Sequence, residues 1–201
     1  MRLGKVVAGG LIGAAMLAIG SAKADTFVDT ISGNDCAGIF GSPFSACAIP
    51  NNPATYGAAA GSPIIIKFDF NDAGVLTTTT INSTLFPTID GSEFAFAFGG
   101  GGSGTGTWTY TPGPGDPSIL AYVAKGGPDF NVFLNDDGSA NSGDWSTPAT
   151  CGGGPSGPGP CGLSHLSFYD SGGSTAVPEP ASLALLGMGL LGLGFAARRR
   201  A

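Results

Sequence analysis

Ile64-Ile65-Ile66-Lys67-Phe68-Asp69-Phe70, then Asn71-Asp72-Ala73-Gly74, then Val75-Leu76-Thr77-Thr78-Thr79-Thr80-Ile81 is the stretch that decides how this chain folds. The first run is β-branched and aromatic, with Ile66, Phe68 and Phe70 on one face. The last run is rich in threonine, and the four residues between the two are turn formers. Together they read as a β-hairpin. Further along, Glu93 to Phe98 alternates Phe94, Phe96 and Phe98 with alanines, a period-two pattern that predicts a buried face. Thr105 to Tyr110 sets Trp108 and Tyr110 on one side and threonines on the other. Ile119 to Ala124, Asp129 to Asn135 and Leu163 to Tyr169 bring the expected number of strands to about seven. No amphipathic helical stretch of ten or more residues interrupts them, so the fold class is all-β, an antiparallel β-sandwich. Pro112 to Pro117 and Gly152 to Pro160 read as Gly/Pro-rich connections.

The two ends of the chain have different compositions from this body. Met1 to Ala24 carries Arg2 and Lys5, then an apolar run from Val6 to Gly20, then Ala22-Lys23-Ala24 before Asp25. That is the layout of a secretory signal peptide over residues 1–24, with cleavage after the small residues Ala22 and Ala24. At the other end, residues 171–177 form a flexible spacer to Pro178-Glu179-Pro180, an uncharged span 181–197 and the basic stop Arg198-Arg199-Arg200. Seventeen residues at 1.5 Å rise make a helix of roughly 25 Å, near the short limit for a hydrocarbon core of about 30 Å. The arginines should stay cytoplasmic by the positive-inside rule, which leaves Pro178-Glu179-Pro180 and the domain over residues 25–170 outside. The prolines disfavour helix, so the motif is expected as an extended, protease-accessible segment.

Motif, order, spacing and C-terminal position together resemble the PEP-CTERM tail of bacterial proteins. The resemblance implies handling by an exosortase after passage through the secretion machinery. It implies transient anchoring in the inner membrane through the C-terminal helix, then a cell-surface or extracellular destination. Within the body, residues 125–134, 141–145 and 162–169 also resemble a recurrent module of PEP-CTERM proteins, to which no activity attaches.

Removal of both ends changes the charge. Only Lys67 and Lys125 remain in the body, against thirteen carboxylates from Asp25 to Asp170, a net charge near −11. Such a surface repels phosphate, which argues against nucleic acid or anionic lipid as partners and leaves cations, polysaccharide and basic proteins. Cys36, Cys47, Cys151 and Cys161 belong to an exported chain in which disulfides persist. Three pairings are open to four cysteines. Cys36 with Cys47 and Cys151 with Cys161 is favoured, because each pair closes a short loop containing Gly, Pro or Ser.

Chemistry is sparse. Gly99 to Gly104 fits G-x-G-x-x-G formally, but a strand follows where a dinucleotide site needs a helix, so it reads as a hairpin loop. A serine hydrolase would have to use the sole histidine, His165, and there is no G-x-S-x-G elbow. His165 is expected on the sandwich surface or at a strand pair. Asp69 and Asp72 are an arbitrary carboxylate pair. The expectation is therefore a non-enzymatic protein of the cell surface or extracellular matrix. The alternative is a carbohydrate-binding module acting on exopolysaccharide, with Trp108, Tyr110, Trp145 and Tyr169 stacking on sugar rings. No cofactor is expected beyond calcium, for which the oxygen-rich loop 135–144 offers Asp136, Asp137, Asn141 and Asp144. Asn82-Ser83-Thr84 is a formal N-glycosylation sequon.

Overall fold

The computed structural model describes residues 25–99, 104–135, 141–149, 151–154, 157–159 and 161–171. The signal peptide with Ala22 and Ala24, the sorting motif Pro178-Glu179-Pro180, the span 181–197 and Arg198 to Arg200 lie outside these residues. So do Asp136 and Asp137. Among the described residues, no helix is long and apolar enough to cross a membrane.

The expected antiparallel sandwich is present, with eleven strands among the described residues instead of about seven. In chain order they are β1 (Thr26–Ser32), β2 (Ile64–Phe70), β3 (Leu76–Ile81), β4 (Phe94–Phe98), β5 (Thr105–Tyr110), β6 (Ile119–Gly126), β7 (Asp129–Leu134), β8 (Ser142–Ser146), β9 (Cys151–Gly154), β10 (Gly157–Gly159) and β11 (Leu163–Asp170). One sheet has the order β1-β7-β6-β11-β2-β3, the other β4-β5-β8, and β9 and β10 form a separate ribbon. All pairings are antiparallel.

The opening hairpin forms as its residues dictate. Ile66 pairs with Ile81 and Phe68 with Thr79. The Asn71 side chain accepts hydrogen bonds from the backbone N–H groups of Ala73 and Val75, both at 3.0 Å, which closes the turn. Gly74 has φ +72°, a left-handed conformation that glycine adopts without a Cβ penalty. The β4–β5 hairpin pairs Phe94 with Tyr110 and Phe96 with Trp108, and residues 100–103 of the glycine run between these strands lie outside the described residues.

The small sheet lies over one face of the large one, and the space between them is filled by aromatic rings. Phe68, Phe94, Trp108, Tyr122, Trp145, Leu166 and Phe168 form this core. Burial of the β4 face is graded. Phe94 is buried, Phe96 partly so, and Phe98 is 37% exposed at the margin of a sheet only three strands wide. Gly106 of β5 packs under the Trp145 ring and against the Ala97 carbonyl, where a Cβ would collide with both.

The large sheet is covered on its other face as well. Residues 33–63 contain two 3₁₀ turns (Phe44–Ala46 and Gly57–Ala59) and the short helix α1 (Pro53–Tyr56). The helix starts where the Asn52 side chain accepts from the Ala54 N–H, with Pro53 at its first position. This segment lays Phe40, Ile49 and Tyr56 over Ile64, Val123, Phe130, Val132 and Tyr169. Phe40 meets Tyr56, Phe130 and Tyr169 edge-on at 6.0, 5.4 and 5.9 Å. Double coverage explains why β6 and β11 are buried almost without alternation.

Both cysteine pairs are closed, Cys36 with Cys47 across the covering segment and Cys151 with Cys161 at the β9–β10 ribbon. Their Cα–Cα separations are 5.1 and 5.0 Å. Non-reducing peptide mapping should recover these two links. Replacing either pair by alanine should cost on the order of 2–3 kcal/mol in unfolding free energy, the loop-entropy value for closures of about ten residues. Recovery of a link such as Cys36 to Cys161 would show the pairing wrong.

Buried tyrosines set the alkaline limit of the fold; burial raises Tyr110 as well as the two most enclosed, Tyr122 and Tyr169. Tyr122 and Tyr169 are both 0% exposed, and burial pushes both phenols well above 10.0. The charge and hydrogen bond of Asp25 add to this at Tyr122, and those of Asp35 at Tyr169. A raised folded-state value means stability that is complete below pH 10 and declines as pH rises past it. The decline should be about 2.7 kcal/mol per pH unit from these two, with Tyr110 adding to it. Urea unfolding between pH 9 and 12, with phenolate absorbance read in parallel, should show these rings ionising only as the protein unfolds. Full phenolate formation in a chain that stays folded would contradict the burial.

Candidate functional site

Lys67, Lys125 and His165 are the only Lys, Arg or His side chains among the described residues, in a body dominated by carboxylates. Strand register gathers all three. Lys125 of β6 pairs with His165 of β11, and His165 pairs with Asp69 of β2. Lys67 precedes Asp69 by two residues and so shares its face. The row lies on the face covered by residues 33–63, where Asn34, Asp35, Cys36, Ala37 and Phe44 complete a cavity of about 270 Å³ with Lys67, Lys125, Ser164 and His165.

Asp35 is the anchor of this cavity. It is 2% exposed. Its Oδ1 lies 3.0 Å from His165 Nε2, and its Oδ2 accepts the Tyr169 hydroxyl at 3.0 Å. Burial alone would raise its pKa, but the hydrogen bond and charge of His165, with hydrogen bonds from Ser167 and the Cys36 backbone, outweigh that and hold the carboxyl well below the usual range. The Tyr169 oxygen is also 3.5 and 3.7 Å from the sulfurs of Cys36 and Cys47, which ties the disulfide to the same network.

On the other side of His165, Asp69 Oδ1 accepts from Lys67 Nζ at 2.9 Å and stands 3.9 Å from His165 Nδ1. Lys125 Nζ donates to the carbonyls of Gly33 at 2.8 Å and Gly127 at 2.9 Å, and so ties the β6–β7 turn to the covering segment. Burial lowers the Lys125 pKa against the pull of Asp35 and Asp129. The arrangement holds a histidine between two carboxylates, and both carboxylates have cationic partners. The cysteine in its wall is tied up in a disulfide.

A second concavity of about 540 Å³ opens beside Phe27, Thr30, Asn131, Ser146 and Thr147. Asn131 is already engaged there, accepting from the Thr30 hydroxyl at 2.7 Å and donating to the Ser146 carbonyl at 2.8 Å. No cationic side chain lines it among the described residues.

The other sequence-level candidates fall differently. Trp108, Tyr110, Trp145 and Tyr169 are at most 2% exposed, so none of these rings offers a face to a sugar. Asn82 is buried and donates to the Ile64 carbonyl at 3.0 Å, which occupies the sequon's amide. Of the loop considered for calcium, Asn141 and Asp144 are described. The Asn141 carbonyl accepts from the Tyr110 N–H, and Asp144 belongs to β8, its N–H donating to Asp25 at 3.0 Å. Asn135 at the loop's start is buried, with its amide donating to the Ile119 carbonyl. Among the described residues no group of three or more His, Cys, Asp or Glu side chains is placed to hold a metal. His165 is at a strand pair as expected, but buried at 6% exposure. The gathering of Asp35, Lys67, Lys125 and Tyr169 around it was not read from the sequence. The available signal was that the body has only two lysines.

Residues 176–200 match the PEP-CTERM protein-sorting motif. No curated protein and no solved structure matches the chain. The C-terminal end is thus a PEP-CTERM sorting signal, which implies export, a membrane-anchored sorting step and processing by an exosortase.

Proposed function

We propose that the chain is a non-enzymatic component of the bacterial cell surface or extracellular matrix, delivered through exosortase and released from its membrane tail on arrival. The observation that carries this reading is the sorting motif at residues 176–200, six residues beyond the last strand, which ends at Asp170. The body suits a structural role outside the cell. Two disulfides stitch its loops, its large sheet is covered on both faces, and its excess of carboxylates keeps it soluble. A carbohydrate-binding role would have to use a surface other than the buried Trp108, Tyr110, Trp145 and Tyr169.

Intact-mass analysis of the exported form from a host with an active exosortase should find a chain that begins at Asp25 and lacks Arg198 to Arg200. Quantification of the matrix fraction should find it as an abundant component and not a trace one. Glu179→Ala should leave the arginine tail in place and the protein in the membrane fraction. A stable membrane-embedded form of the unaltered chain that retains Arg198 to Arg200 would overturn the processing step.

A further inference from the structure

We propose that the cavity beside Asp35 and His165 binds a small hydroxylated monocarboxylate, a sugar acid or a molecule of that chemistry. Two lysines and the sole histidine, separated by 58 and 40 positions in sequence, converge on one cavity in a body near −11. Simple charge balance would scatter so few cations among so many carboxylates.

The carboxylates at the site do not use up the donors. An ammonium group carries three N–H donors. Lys67 gives one to Asp69, and Lys125 gives two to the carbonyls of Gly33 and Gly127. Two N–H groups on Lys67 and one on Lys125 remain without an acceptor among the described residues. Asp35 is satisfied by His165 and Tyr169, so it is not waiting for these lysines. An incoming carboxylate takes the place of water at these donors and makes charge-assisted hydrogen bonds.

The rest of the lining narrows the class. Asn34 and the exposed Ser164 present neutral polar groups suited to hydroxyls, while Ala37 and the half-buried Phe44 form an apolar wall suited to ring carbons. Asp35 in the lining disfavours a dianion, and among the described residues no guanidinium offers the planar fork that recognises phosphate. A volume of about 270 Å³ falls just below the 300–1,000 Å³ of pockets for drug-sized ligands, which suits a single ring or smaller. The distant carboxylates of the body repel such an anion only weakly at physiological salt, where screening acts over about 8 Å. The proposal does not depend on the route of export, and its failure would leave the sorting reading untouched.

The test is saturation-transfer NMR on the full chain in detergent, with D-glucuronate, D-glucose and acetate as probes. Saturable glucuronate binding, about tenfold or more tighter than glucose and tighter than acetate, is the expected result. Lys67→Met should weaken glucuronate about tenfold and leave glucose unchanged. Ser164→Glu, at an exposed position, should abolish glucuronate binding by setting a like charge at the rim. Should Lys67→Met fail to fold, the Ser164→Glu result decides. The proposal is overturned if glucuronate shows no saturable signal, if glucose binds as well as glucuronate, or if a folded Ser164→Glu protein binds glucuronate unchanged.

Discussion

Replacing Phe168 by alanine should lower the unfolding free energy by about 3–5 kcal/mol, the range for losing a buried aromatic from a core that cannot fully collapse. Phe168 lies on β11, one of the two central strands of the large sheet, and is 0% exposed. Its ring centroid is 4.8 Å from that of Phe94, 5.1 Å from Trp108, 6.0 Å from Phe68 and Tyr122, and 6.4 Å from Phe96. Phe94, Phe96 and Trp108 belong to the small sheet and Phe68 and Tyr122 to the large one, so this ring is the joint between the two layers. A loss of that size is a large fraction of the roughly 5–15 kcal/mol by which domains are stable. Phe98→Ala is the comparison. Phe98 is partly exposed and touches Phe70 and Trp145 from the margin, so its removal should cost about 1 kcal/mol. Urea midpoints measured side by side decide the matter. Equal losses at the two positions would mean that the inter-sheet core is not centred on Phe168.

The contrast between these phenylalanines also shows what the sequence could and could not reveal. Alternation in Phe94-Ala95-Phe96-Ala97-Phe98 identifies a face, but how deeply each ring sinks depends on the width of the sheet that carries it. That width is set by pairing with residues far along the chain. The strand β8 was missed for a related reason. Ser142-Gly143-Asp144-Trp145-Ser146 is poor in β-formers, and it is a strand because it pairs with β5 and drives Trp145 into the core. Gly143 is required there, since a side chain would collide with the Asp25 carboxylate and the Trp108 indole. β1 was missed because its exposed, polar edge lacks a strong pattern. The cavity was hidden more deeply still. Asp35 belongs to an irregular segment whose path over the sheet no periodicity encodes, and Lys125 meets His165 only through the register of β6 against β11. What was legible came from local rules: the Asn71 turn, the short cysteine loops and the sorting signal.

Asp35→Ala should destabilise the protein at pH 7 by about 3 kcal/mol, the lower end of the loss on removing one partner of a buried charged pair. The variant leaves two groups without their acceptor in a dry setting. One is the His165 ring at 8% side-chain exposure, and the other is the Tyr169 hydroxyl at 0%. Asp35→Asn, which keeps the shape and one acceptor oxygen, should lose less. Acid pH distinguishes the charge from the shape. Because His165, with help from Ser167 and the Cys36 backbone, holds the folded-state Asp35 pKa well below the ordinary 3.8, the stability it contributes is complete above about pH 4 and is lost as pH falls below that. The gap between the unaltered protein and Asp35→Ala should therefore narrow steadily as pH falls from about 4 toward 2. His165→Ala supplies the reciprocal evidence. Without the cation, burial raises the Asp35 carboxyl, so this variant should begin to change protonation at a higher pH than the unaltered protein. Urea midpoints at pH 7, 5, 4, 3 and 2 measure all four proteins. A gap between the unaltered protein and Asp35→Ala that is the same at pH 2 as at pH 7 would mean that Asp35 contributes through shape alone, and that His165 does not hold it ionised.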